Sequence, residues 1–146
     1  MILKRRLLVD TRSGAAPILF FIVLPVGCGT ALTMAVRTGD VNKVKTLLDQ
    51  GANVHEGPPI FLSALMEASR EGHSDVVKIL LDRGADVNMN FDSRTALAFA
   101  AQGRHEDTVK LLLERGADID KTIRIMKGNP NWWSSADVEY LRGFKR

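Results

Sequence analysis

Cysteine is almost missing from this chain: Cys28 is the only one in 146 residues. A single thiol closes no internal disulfide and builds no cysteine-based zinc site. Histidine is nearly as scarce, with His55, His73 and His105 alone. No H-E-x-x-H pair, phosphate loop or nucleophile elbow occurs. The adjacent acids Glu106 and Asp107 open a helical stretch, where they suit the positive end of the helix. Catalytic, metal-ligating and cofactor-binding residues are therefore expected to be none, and the chain reads as a non-enzyme.

A second absence concerns charge. The chain carries a formal +3, from 20 Lys and Arg against 17 Asp and Glu. Residues 1–27 hold Lys4, Arg5, Arg6 and Arg12 against Asp10 alone, so from Cys28 onward 16 bases face 16 acids. The basic balance belongs to the first segment and argues nothing for nucleic acid. Within that segment a basic start precedes an uncharged run from Ala15 to Val26, and the small residues Gly27-Cys28-Gly29 follow. This is the order of an export signal. The run would be about 18 Å long as a helix, against a hydrocarbon core of roughly 30 Å. Pro17 and Pro25 also interrupt it. A helix capping the end of a domain is the alternative, but such a cap needs a polar outer face and this run has none.

What the chain does have is internal repetition. Three segments align: "TALTMAVRTGDVNKVKTLLDQGANV" from Thr30, "SALMEASREGHSDVVKILLDRGADV" from Ser63 and "TALAFAAQGRHEDTVKLLLERGADI" from Thr95, offset by 33 and then 32 residues. Each reads as a short helix, a Gly turn, a longer helix and a Gly-Ala-Asx exit. Leu32, Ala35, Val44, Leu47 and Leu48 keep the 3–4 rhythm of one buried helical face. Their counterparts are Leu65, Ala68, Val77, Leu80 and Leu81, then Leu97, Ala100, Val109, Leu112 and Leu113. Gly51, Gly84 and Gly116 follow the second helices where a left-handed residue ends a helix.

These segments resemble ankyrin repeats, whose motif runs T-P-L-H-x-A, then G-H, then V-x-x-L-L-x-x-G-A-D-V-N. The resemblance covers Thr30 to Asp120 and implies an all-α ankyrin solenoid of three helix-turn-helix repeats, at about 30–54, 63–87 and 95–119. Departures are specific. Ala31, Ala64 and Ala96 replace the motif's Pro, and Thr33, Met66 and Ala98 replace its His. In the third copy Gly103 comes one place early, so Arg104 aligns with Gly39 and Gly72. Either Arg104 takes the left-handed conformation or the turn shifts by one residue. "HEGPPIFL" and "NMNFDSR" stand where the family has projecting hairpins, and Pro58-Pro59 predicts an irregular first loop. His73 and His105 fall on the family's Gly-His position, where the ring bonds neighbouring backbone.

Residues 121–146 leave the pattern: a weak helix, a turn at Gly128–Pro130, then a helix capped by Ser134 or Ser135. Six bases there face Asp137 and Glu139. A solenoid needs a terminal unit with one polar face, and this tail with Trp132 and Trp133 is expected to be the C-terminal helical cap. Contact with anionic lipid or nucleic acid is the alternative for a basic, aromatic tail.

Cys28 lies two residues before the first repeat. The junction resembles the lipobox of bacterial lipoproteins, in which Leu, a small residue, and Gly or Ala precede a lipid-modified cysteine. Gly27-Cys28 matches, Val26 is tolerated, and Pro25 stands in place of Leu, with Leu24 one place early. An uncleaved anchor and a plain buried cysteine are the other readings. The resemblance implies residues 1–27 as a signal peptide, lipidation at Cys28 and a membrane-anchored chain of the bacterial cell envelope facing the periplasm or exterior. Gly29 implies the outer membrane where the cell has one.

By the ankyrin resemblance, the expected function is protein binding, with an unidentified protein as partner, a monomeric chain and no nucleic acid. Its contact positions map to Arg37 and Thr38; to Ile60, Leu62, Arg70 and Glu71; and to Met89, Phe91, Asp92, Arg94 and Gln102. Ile60, Leu62, Met89 and Phe91 are large apolar groups on loops, and Phe91 is the expected anchor. A periplasmic inhibitor or immunity protein, and a stress-protective factor, are the competing roles.

Overall fold

The computed structural model describes residues 31–55 and 62–145. They form eight helices in order: α1 Ala31–Arg37, α2 Val41–Asp49, α3 Ala64–Glu71, α4 Ser74–Asp82, α5 Ala96–Gln102, α6 Glu106–Glu114, α7 Ile119–Gly128 and α8 Ser135–Arg142. Among the described residues there is no strand beyond one isolated bridge between Phe91 and Arg94. The chain is an all-α ankyrin solenoid: α1/α2, α3/α4 and α5/α6 are antiparallel pairs, first helices stack α1 on α3 on α5, and second helices stack α2 on α4 on α6.

Local chemistry sets the helix boundaries. Ser63 and Thr95 accept hydrogen bonds from the amides of Met66 (3.3 Å) and Ala98 (3.1 Å), capping α3 and α5. Asp40 does the same for α2 through the Lys43 amide at 2.9 Å. Each such cap stabilises its helix by about 1 kcal/mol. The corresponding residues of the next two repeats are His73 and His105, which make no side-chain cap. Their rings reach across instead. His73 Nε2 meets the Arg37 carbonyl at 3.1 Å and His105 Nε2 the Arg70 carbonyl at 3.0 Å, so each ring ties its repeat to the one before.

That bond explains the glycine turns. Gly39 and Gly72 have φ of +70° and +76°, and a Cβ there would sit 2.8 Å from the His73 ring and 2.5 Å from the His105 ring. The left-handed backbone and the close ring both demand glycine. In the third repeat no following repeat supplies such a ring, and the turn does not shift: Arg104 occupies the position at φ +58° while Gly103 is helical. The conformation costs about 1–2 kcal/mol for a residue with a side chain. The side chain is put to use. Arg104 Nη1 donates to the Ala136 carbonyl at 3.3 Å, Nη2 pairs with Asp137 at 3.2 Å, and the guanidinium lies 4.6 Å from the centre of the Tyr140 ring. Burial raises the Tyr140 phenol pKa above its ordinary value, and the Glu106 carboxylate adds to this.

The apolar rhythm reads out as a continuous core through the repeats. Leu32, Ala35, Val36, Val44, Leu65, Ala68, Val77, Leu80, Leu97, Ala100, Val109 and Leu112 are buried. The paired leucines are not equivalent. Leu80 and Leu112 are fully enclosed while Leu81 and Leu113 are half-buried, and in the first repeat Leu48 is buried and Leu47 is the half-buried one. Gly51, Gly84 and Gly116 have φ of +90°, +87° and +89°. Homologous ion pairs, Asp49–Arg83 at 2.6 Å and Asp82–Arg115 at 2.7 Å, join successive second helices. They are exposed and contribute little each.

The end of the stack differs from a repeat. After Gly116 no projecting hairpin forms, and Asp118 caps α7 through the Lys121 amide at 2.8 Å. The helix that follows the third repeat thus begins at Ile119. Ser134, rather than Ser135, caps α8, in a capping box with Asp137. Both α7 and α8 pack on α5, burying Ile123, Met126, Trp133, Val138 and Leu141 over the last repeat. Pro58, Pro59 and the loop expected to be irregular lie outside the described residues.

Candidate functional site

A solenoid places equivalent side chains in rows, one per repeat. The fifth residue of each copy gives the row Met34, Glu67 and Phe99; the eighth gives Arg37, Arg70 and Gln102. Both rows lie on the first helices. Met34 is 63% exposed, and with Trp132 (56%) it is one of the two large apolar residues left in solvent among the described residues. Glu67 is only 3% exposed, yet it sits between two arginines. Arg37 Nε and Arg70 Nη2 each approach its Oε1 at 2.8 Å. Arg70 also bonds Glu71 at 3.0 Å. This chain of four alternating charges runs from the first repeat to the second. A buried carboxylate is tolerated only when so paired.

Beyond Arg70 the face deepens into a pocket of about 420 Å³ lined by Leu62, Arg70, Arg94, Phe99, Gln102, Trp132 and Trp133. Its walls come from three sources. Leu62 and Arg70 belong to the second repeat; Arg94, Phe99 and Gln102 enter and form α5; the tryptophans come from the turn between α7 and α8. Trp133 is buried edge-on against Phe99, ring centres 5.3 Å apart at 70°, and its indole N–H donates to the Ser93 carbonyl at 3.2 Å. Trp132 stays outside, with the Arg94 guanidinium 4.4 Å from its ring centre. The Gln102 amide donates to the Trp132 carbonyl at 3.4 Å.

Arg94 is aimed by a two-residue hairpin. Phe91 and Arg94 exchange both backbone hydrogen bonds, at 3.1 and 2.9 Å, across Asp92 and Ser93. Both turn residues have positive φ, +48° and +62°, as the tight turn that matches strand twist requires. Asp92, exposed at the tip, is 3.5 Å from Arg94.

Of the contact positions implied by the ankyrin resemblance, the structure brings Leu62, Arg70, Arg94 and Gln102 together in the pocket. Arg37 and Glu71 adjoin it through the charge chain. Thr38 lies at the exposed end of α1, its hydroxyl donating to the carbonyls of Met34 and Ala35 at 3.2 and 3.1 Å. Leu62, Met89 and Phe91, the large apolar groups expected on loops, are each half-buried and pack against the core. Ile60 and Cys28 lie outside the described residues. Met34, Glu67, Phe99 and both tryptophans belong to the face and were not among the expected positions. The repeat offset itself points to the first three, because it carries Met34 onto Glu67 and Phe99. No group of His, Cys, Asp or Glu among the described residues could hold a metal ion.

A family model described as ankyrin repeats in three copies matches residues 32–123. The match spans more than half of the chain, and the chain belongs to the ankyrin-repeat family. No curated protein sequence matches it. Ankyrin repeats make it a protein–protein interaction module, in a family whose members are typically not enzymes.

Proposed function

We propose that this chain acts as a monomeric, membrane-tethered module of the bacterial cell envelope, held by lipid on Cys28 and binding a protein partner through its first-helix face. The observation that carries the binding half is the face running from Met34 through Arg37, Glu67 and Arg70 to Trp132. It combines arginine and methionine on the first helices with a tryptophan from the turn between α7 and α8, all in solvent-facing positions, the composition of interface hot spots. The tether rests on the sequence: a basic start, an apolar run and Gly27-Cys28, with α1 beginning only three residues after the cysteine. A lipid at that point would hold the repeats close to the bilayer, and the partner would be met there.

An inhibitor of a toxin would be favoured by a face of one strong sign. Here Arg37 and Arg70 are matched by Glu67 and Glu71, so the general interaction module is the better reading.

Two experiments test the halves separately. A photo-crosslinking residue at Arg37 or Gln102 in living cells is expected to capture a discrete protein, while the same residue at Lys78, exposed on a second helix, is not. Equal capture from Lys78 would refute the assigned face. Cys28→Ser is expected to move the chain from membranes to the soluble fraction or to leave an uncut precursor. A wild-type N-terminal peptide without lipid, seen by mass spectrometry, would end the tether reading.

A further inference from the structure

We infer that the pocket closed by the non-repeat tail is a specificity pocket for an extended peptide segment carrying a bulky apolar side chain next to acidic ones. This rests on the reading of the first-helix face as a protein-binding surface, and adds the chemistry of what is bound. Three observations meet there. The volume, about 420 Å³, lies at the small end of ligand pockets, roughly 300–1,000 Å³, and suits one large side chain rather than a cofactor. The apolar walls are Leu62, Phe99, Trp132 and Trp133, a largely aromatic lining that an apolar group of the partner would desolvate.

The charged lining residues are two arginines, and no carboxylate joins them in the wall. Arg94 is the better placed. Trp132 supports its guanidinium from one side, and its acidic neighbour Asp92 is 69% exposed at 3.5 Å, an ion pair of the kind that contributes little and exchanges readily. A partner carboxylate can take that place with a shorter, charge-assisted hydrogen bond. Arg70, which also lines the pocket, donates Nε to exposed Glu71 and can turn that donor to a partner carboxylate while its Nη2 stays on Glu67. Two arginines in one lining therefore recognise acids beside the buried side chain together. The occupant is a peptide because the pocket continues into the row Arg70, Glu67 and Arg37, a track that a chain can follow.

The pocket also reports on itself. The chain's two tryptophans are Trp132 and Trp133, both in its wall, so all tryptophan fluorescence arises at the site. Full-length chain in detergent is titrated with three end-blocked peptides free of tryptophan: Gly-Glu-Phe-Glu-Gly, Gly-Lys-Phe-Lys-Gly and Gly-Glu-Ala-Glu-Gly. The first is expected to change the emission saturably and the other two not. Arg94→Gln, with far-UV circular dichroism unchanged, is expected to weaken the first about tenfold, the loss of one hydrogen bond to a charged group. Trp132→Ala leaves Trp133 as reporter, and the side chain it removes is largely in solvent, so folding survives; a similar loss is expected. Equal binding of the lysine peptide, an Arg94→Gln variant that binds as tightly as wild type, or no saturation with any peptide overturns the inference. Protein adducts from Arg37 or Gln102 with no peptide binding overturn the pocket chemistry alone. Peptide binding with no adduct overturns the wider face alone.

Discussion

Arg104 allows two opposed effects to be separated by experiment. Its left-handed backbone costs about 1–2 kcal/mol relative to glycine, while its side chain clamps α8 onto the last repeat. The clamp has three parts: a hydrogen bond to Ala136, an ion pair with the nearly buried Asp137, and a guanidinium over Tyr140. The hydrogen bond contributes about 1 kcal/mol and the cation–π contact about 0.5–1 kcal/mol. The ion pair adds up to about 1 kcal/mol, because the Arg104 side chain is 44% exposed and solvent screens it. Arg104→Ala removes the clamp and keeps the backbone cost, so it should destabilise by roughly 1.5–3 kcal/mol by these values. Arg104→Gly removes the clamp and relieves the backbone, and should lose only about 1 kcal/mol.

Urea unfolding followed both by circular dichroism and by tryptophan emission checks this. The dichroism reports all helices, whereas both tryptophans lie in the turn between α7 and α8. Because solenoid repeats contact only their neighbours, loss of the clamp should move the fluorescence transition to lower urea more than the dichroism transition. A glycine variant more stable than wild type would show that the clamp is worth less than the strain. Alanine and glycine variants of equal stability would show that Arg104 is not left-handed in solution.

Leu80→Ala, in the middle repeat with second helices on both sides, is expected to cost about 2–5 kcal/mol; unchanged melting would mean the register of the repeats is wrong. Phe91→Ala is expected to lower stability by on the order of 1–2 kcal/mol, less than the 3–5 of a fully buried ring, because Phe91 is half-buried against the core. Unchanged melting together with a large loss of partner binding would instead make Phe91 the anchor, and thermal melts beside binding titrations distinguish the two.

Much of this was legible from residue order. A 33-residue offset with a 3–4 apolar rhythm specifies helix pairs that cannot bury their stripes alone, and the same rhythm selects Leu65, Val77 and Leu80 for the core. The start of α8 was legible to within one residue, at Ser134 or Ser135, because capping is a contact over three residues. Even the conflict at Arg104 showed as a misplaced glycine. The candidate site was only half legible: Leu62, Arg70, Arg94 and Gln102 were among the contact positions that the ankyrin resemblance implies and line one pocket, while the half-burial of Met89 and Phe91 was not foreseen.

The remainder depends on distance along the chain. Trp133 reaches Ser93 across 40 residues, Arg37 reaches Glu67 across 30, and Arg104 reaches Ala136 across 32. No local pattern marks such partners. Glu67 in α3 reads as a solvated acid in the first turn of a helix, and only the stacking of α1 on α3 encloses it between two arginines. Trp132 and Trp133 are adjacent and chemically identical, yet one is buried on Phe99 and the other stands in solvent under Arg94. The backbone turn between α7 and α8 sends neighbouring side chains in different directions. Sequence determined the solenoid because its repeats are built from short-range periodicity; the tertiary structure decided the pocket because its walls come from two repeats and a tail that meet only once the stack is formed.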